Sequence, residues 1–130
     1  MSNNIEALEK TLPIAPLKLV AMESCKDLGH KVNDYLVSFR KDTINEITTS
    51  PLYTNYKSNS YLVDCSCPRF GSGEAKGILK ETIRGTDLFI MTDVCNYSLT
   101  YSVNGHLNHM SPDDHYQDLK RIISASTGKA

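Results

Sequence analysis

Within residues 69–77, RFGSGEAKG, the chain places Gly71, Gly73 and Gly77 around one aromatic, Phe70, and one acid, Glu74. A glycine-rich turn lets backbone approach a phosphate or a nucleotide closely. An exposed aromatic beside an acid can stack on a base and contact a sugar or a metal-bound phosphate. The run matches neither G-x-x-x-x-G-K-[ST] nor G-x-G-x-x-G, so it is not one of those phosphate loops. Its spacing alone favours an ordinary turn whose phenylalanine packs inward.

Other residues offer different chemistry. Cys65 and Cys67 would face the same side of a strand, and with His106, His109 or His115 they could approach a soft metal. A zinc site needs four convergent ligands, usually from Cys-x2-Cys or longer spacings. Reduced thiols packed as small hydrophobes explain the pair more simply. The histidines have no Ser or Cys nucleophile at a telling spacing. Asp113 and Asp114 could bind a metal, but the first turn of a helix accounts for both as partners of its dipole. Lys18, Lys26, Lys31, Arg40 and Lys41 form no dense basic run.

Composition narrows the classes further. The 130 residues are 40% hydrophobic and 22% charged, with a formal net charge of −1. This predicts one globular domain able to bury a core without staples. It gives no global field to draw the protein to nucleic acid or an anionic membrane. Four cysteines are too sparse for a secreted disulfide framework. MSNNIEALEK lacks the apolar stretch of a signal peptide, and no run is long enough to span a membrane. The expected setting is the cytoplasm, with free thiols.

The elements that must carry these groups read as follows. Residues 1–16 are a polar, proline-punctuated lead-in, with a short frayed helix expected over 5–11. LKLVA (17–21) reads as a buried strand. Ser24 is expected to cap a helix whose apolar positions are Cys25, Leu28, Val32, Tyr35, Leu36 and Phe39. Residues 40–60 read as an irregular polar excursion. SYLVDCSC (60–67) and EAKGILKETI (74–83) read as strands, the second half-exposed. TDLFIMTDVC (86–95) reads as a strand buried on both faces. Asn104-Gly105 between alternating runs predicts a hairpin. Ser111, Pro112, Asp113 and Asp114 predict a helix start. The order β, α, β, β, β, hairpin, α implies a three-layer α/β domain. Ending on a helix, the chain reads as part of a larger domain.

The run RFGSGEAKGILKETIRGTDLFI (69–90) resembles the N-terminal region of the ribose-phosphate pyrophosphokinases, the PRPP synthetases. Their pattern there is R-[FY]-S-D-G-E, a half-exposed strand, then E-S-V-R-G-x-D-[VIL]-[FY]-[IV]-[IV], and the interval fits without a gap. LKLVAMESCKDLGHKVNDYL upstream and DDHYQDLKRIISAS downstream resemble the family's first strand and helix and its next helix. The resemblance spans residues 17–126. It implies a phosphoribosyltransferase-like half domain, with a mostly parallel sheet, flanking helices and a β-hairpin insertion at 96–110.

The family transfers the diphosphoryl group of ATP to ribose 5-phosphate, with Mg²⁺, to make PRPP for nucleotide biosynthesis. It works as homo-oligomers in which the RFSDGE turn reaches the active site of a neighbouring subunit. Carried over, Phe70 would stack on adenine and Glu74 would contact the nucleotide. Ser72 stands where the family has an aspartate, offering a hydrogen bond but no charge. Thr82 and Arg84 fall on the serine and arginine of a regulatory phosphate site. The reading of the residues alone for those two is a tight turn, with Gly85 at positive φ. The family's arginine-rich catalytic loop and PRPP-binding loop have no counterpart in these 130 residues. The expectation is therefore part of an N-terminal domain (17–130), inactive by itself. The alternative is a non-catalytic regulatory or assembly homologue.

Overall fold

In the computed structural model of the protein the described residues are 15–44 and 58–127, with backbone alone for 42–44. The helix expected over 5–11 and most of the 40–60 excursion lie outside them. The elements are β1 (Leu17–Ala21), α1 (Lys26–Ile44), β2 (Cys65–Ser66), β3 (Ile78–Leu79), β4 (Asp87–Met91), β5 (Thr100–Val103), β6 (His106–His109) and α2 (Pro112–Thr127). A 3₁₀ turn, Glu23–Cys25, leads into α1.

β1 is the central strand. It pairs in parallel with β4, from Leu17 opposite Asp87 to Ala21 opposite Met91. On its other edge the Leu19 N–H donates to the Tyr61 carbonyl and the Val63 N–H donates to the Leu19 carbonyl, each at 2.7 Å. These bonds flank a parallel bridge from Leu19 to Leu62. Parallel neighbours need a long crossover, and α1 supplies it between β1 and residues 61–63. Asn33 of α1 fixes that return, its side-chain oxygen accepting the Tyr61 N–H at 2.8 Å.

Alternation along β1 sorts its two faces. Ala21 meets α1 so closely that a Cβ on Gly29 would collide with the Ala21 side chain. Val20 points the other way, into a buried cluster with Met22, Val63, Leu79, Ile83 and Ile122 of α2. Val20 and Ile122 are fully buried, each stabilising the fold by roughly 1.5–3 kcal/mol. Helix, sheet and helix make the three layers. β3 lies directly on α2, because a Cβ at Gly77 would strike the Arg121 backbone.

Several expectations are corrected. Ser24 does not cap α1: it sits inside the 3₁₀ turn, whose own cap position is Met22, without a side-chain cap. The Ser24 hydroxyl instead accepts the Asp93 N–H at 2.9 Å, tying the turn to the end of β4. The helix runs on through residues 40–44. Leu28, Tyr35 and Phe39 on its expected apolar face are exposed, because α1 packs through Gly29 and Asn33 instead. β4 ends at Met91 and is not buried on both faces, since Phe89 is 60% exposed. Phe89 lies opposite Leu19, on the α1 side, where Gly29 sits over Ala21 and Leu62 and leaves the β4 edge uncovered.

The two strands expected over 60–67 and 74–83 form one irregular antiparallel arm. Its paired parts are Cys65–Ser66 with Ile78–Leu79 and a bridge from Arg69 to Ala75. Pro68, which has no N–H to give, interrupts the ladder. The hairpin forms as expected: β5 and β6 pair antiparallel, with Asn104 and Gly105 at φ 51° and 81°. That pair of positive values is the twist-matched two-residue turn. α2 also starts as expected. The Ser111 hydroxyl accepts the Asp114 N–H at 3.1 Å, and the Asp114 carboxylate accepts the Ser111 N–H at 2.9 Å.

Candidate functional site

The antiparallel arm carries the glycine-rich turn at its tip. The Phe70 N–H donates to the Glu74 carbonyl at 2.7 Å and the Gly73 N–H to the Phe70 carbonyl at 2.9 Å. Gly73 closes this turn at φ 88°, a conformation costly for any residue with a Cβ. Phe70 does not pack inward: it is 53% exposed. Ser72 and Glu74 are exposed beside it, and the Ser72 hydroxyl accepts the Glu74 N–H at 3.5 Å. One small surface thus presents an aromatic face, a hydroxyl and a carboxylate.

Arg69 holds that surface in place, a role its place in the sequence did not reveal. Its guanidinium donates to Asp118 at 3.2 Å and to the Gly73 carbonyl at 3.5 Å. It lies 3.9 Å from Asp114 and 4.4 Å from the centre of the Tyr101 ring. Asp118 also binds Arg121 at 2.7 Å. His115, Asp118 and Ile122 are the buried residues of α2. An acid on that stripe, at helical spacing, was the one available sign of a buried ion pair.

Thr82 and Arg84 lie in the turn before β4 and are exposed. The Thr82 hydroxyl accepts the Arg84 N–H at 3.4 Å. The Thr86 hydroxyl donates to the Ile83 carbonyl at 2.7 Å, and Gly85 takes φ 70°. This is the tight turn expected, and it leaves the guanidinium of Arg84 on the surface.

Two cavities open near the carboxyl ends of the parallel strands. One of about 300 Å³ lies between the arm, the hairpin and α2, lined by Cys65, Cys67, Arg69, Tyr101, Met110 and His115 among others. A broader groove of about 970 Å³ runs past Lys26, Lys31, Thr92, Asp93 and Asn96. In open α/β sheets this end is where ligands bind. Phe70, Ser72, Glu74, Thr82 and Arg84 line neither cavity.

Cys65, Cys67 and His115 border the first cavity, but the cysteines and histidines form no metal-ligand set among the described residues. All four thiols are free. The Cys65 thiol faces the Ala21 carbonyl at 3.6 Å and Cys67 the Asp118 carbonyl at 3.8 Å. Burial pushes both thiols up; Cys67, with Asp118 nearby as a second cause, reaches about 12. His115 is buried with Nε2 2.7 Å from the Asn96 carbonyl oxygen. His109 stacks on Tyr97 with ring centres 4.5 Å apart. Among the described residues no three His, Cys, Asp or Glu side chains are placed to hold a metal ion. No described helix is long and apolar enough to cross a membrane.

A family model described as the N-terminal domain of ribose phosphate pyrophosphokinase matches residues 17–130. Neither a curated protein nor a solved structure gives a significant match.

Proposed function

The chain belongs to the family of ribose phosphate pyrophosphokinase N-terminal domains, and from that premise we propose that it serves an enzyme transferring diphosphate from ATP to ribose 5-phosphate. The product, PRPP, feeds nucleotide biosynthesis. Phe70 stacks on adenine, and Glu74 and Ser72 contact the nucleotide. Thr82 and Arg84 receive the phosphate of an effector, for which the planar guanidinium is suited.

The observation that carries this reading is the outward placement of Phe70, 53% exposed on a turn closed by its own backbone bonds. An aromatic held out from the core is poised for a ligand rather than for packing. Phe70, Ser72 and Glu74, unlike Arg69, border neither of the two cavities described. That supports a nucleotide site completed by a neighbouring subunit, and hence a homo-oligomer. The described residues do not fit a metal site, so no step is assigned here to Mg²⁺, which would arrive with the phosphates of ATP. The catalysis would be chiefly positioning and charge stabilisation. This chain supplies positioning.

Ser72 favours a second reading, a regulatory or assembly subunit that makes no PRPP, because it removes a charge from the nucleotide-facing turn. An assay of PRPP formation from ATP and ribose 5-phosphate by the full-length protein separates the two. The enzyme reading expects product, and its loss in Glu74→Ala. Absence of product, together with co-assembly with an active synthetase, supports the second reading.

A further inference from the structure

Phe70 and Glu74 sit at the end of an arm with few bonds of its own. Beyond Cys65–Ser66 and Ile78–Leu79, its ladder is reduced to one bridge, from Arg69 to Ala75. A two-stranded arm of this kind is marginally stable in water unless something packs against it. The described structure supplies that support from α2, through Asp118 and the backbone beside Gly77, and at the turn itself from the β5–β6 hairpin.

β5 alternates exposed and half-buried residues, and Tyr101 and Val103 are the half-buried pair. Residues two apart on a strand share a face, and here that face meets the turn. The Tyr101 ring lies against the Arg69 guanidinium, 4.4 Å from its carbon. A Cβ built on Gly73 would lie 3.8 Å from a Val103 methyl, so the side-chain direction of Gly73 is aimed at Val103. The base of the hairpin is closed by the Met110 N–H donating to the Leu99 carbonyl at 2.8 Å. Asp118 binds the same guanidinium at 3.2 Å, and the arginine side chain is only 11% exposed. The arginine then returns to its own turn through the Gly73 carbonyl.

We propose that the β5–β6 hairpin is a brace for the 69–75 turn, with Tyr101 and Arg69 as positioning residues that fix how Phe70 and Glu74 are presented. The ring covers one face of the guanidinium, which keeps water from the Arg69–Asp118 pair and strengthens it. With Arg69 immobile, both ends of the turn are held. A ligand that needs the presented form binds more weakly in proportion as that form is depopulated. This consequence for affinity rests on the nucleotide reading of Phe70 and Glu74; the brace itself does not.

The test compares Tyr101→Leu, which keeps apolar bulk but loses the ring, with Tyr101→Phe, which keeps the ring. Amide exchange at Phe70 and Gly73 should quicken about fivefold in Tyr101→Leu, the factor a cation–π contact of moderate strength provides. It should stay at the wild-type rate in Tyr101→Phe, with Val20 and Ile90 unchanged in both. Equal rates at Phe70 and Gly73 in Tyr101→Leu and wild type overturn the brace. So does a rise at Val20 and Ile90 as large as that in the turn, which would mark general loosening. In the full-length protein, Tyr101→Leu should raise the KM for ATP by up to about fivefold, the limit reached where the presented form is already a minority, with kcat nearly unchanged. A KM that does not move while the turn loosens overturns the presenting role. If the turn loosens as expected but wild type binds no ATP, the brace stands and the nucleotide reading fails.

Discussion

Arg69 and Asp118, 49 positions apart in the chain, meet at 3.2 Å with their side chains 11% and 8% exposed. Asp118 simultaneously holds Arg121 at 2.7 Å. One carboxylate thus anchors the glycine-rich turn to the last helix, and removing it leaves Arg69 buried without its nearest counter-charge. Breaking one partner of a buried pair costs about 3 kcal/mol or more. Asp118→Ala should lower the urea midpoint accordingly without changing the slope of the transition. Asp118→Asn, which keeps an acceptor for Arg69, should cost less. A midpoint for Asp118→Ala equal to wild type would show the pair to be incidental.

The start of α2 predicts a pH dependence. Burial pushes the Asp114 carboxyl up, but the Ser111 N–H and hydroxyl, with Arg69 and His115, outweigh it and hold it below the ordinary 3.8. The folded state therefore binds that proton less readily than the unfolded chain. The stabilisation is complete above the ordinary value and is lost as pH falls through the folded one. Asp114→Asn should flatten the acid limb of the stability profile below about pH 4 and cost about 1 kcal/mol at neutral pH, the usual size of a helix cap. Measurement of the denaturant midpoint across pH 2–7 checks both.

Thiol chemistry should be sharply ranked. Burial first, then the charge of Asp118, pushes Cys67 up to about 12, whereas Cys95 is exposed. The thiolate is the reactive form. Iodoacetamide at pH 8 should label Cys95 first and Cys67 last, read by peptide mass spectrometry. Because the folded state holds the Cys67 proton more tightly, stability should fall as pH rises from the ordinary thiol value of 9.0 towards 12. Labelling of Cys67 at the rate of Cys95 would contradict the packing of the Cys67 thiol against α2 at Asp118.

What the sequence made legible was local. Asn104-Gly105 specified its own turn, and Ser111 with Pro112 and Asp114 specified the start of α2, because each signal lies within four residues. The strand LKLVA and the family motif around RFGSGE placed the centre of the sheet and the turn at the tip of the arm. The rest depended on neighbours distant in the chain. Nothing in TDLFIM says that α1 sits over Ala21 and leaves Phe89 exposed. Ser24 has the composition of a cap, but its hydroxyl is taken by the Asp93 N–H, 69 positions on. Pro68 was visible, yet its effect on the ladder depended on which strand it faced. Arg69 was quoted within the motif, but its partners come from β5 and α2.

The central claim is that Phe70 is an adenine platform, and calorimetry with Mg²⁺ and ATP on the full-length protein tests it most directly. Wild type is expected to bind, and Phe70→Ala to bind more weakly by about 1 kcal/mol or more, the cost of losing a base stack. Equal binding by both proteins, or no binding by wild type, would contradict the claim and leave the glycine-rich turn as scaffold.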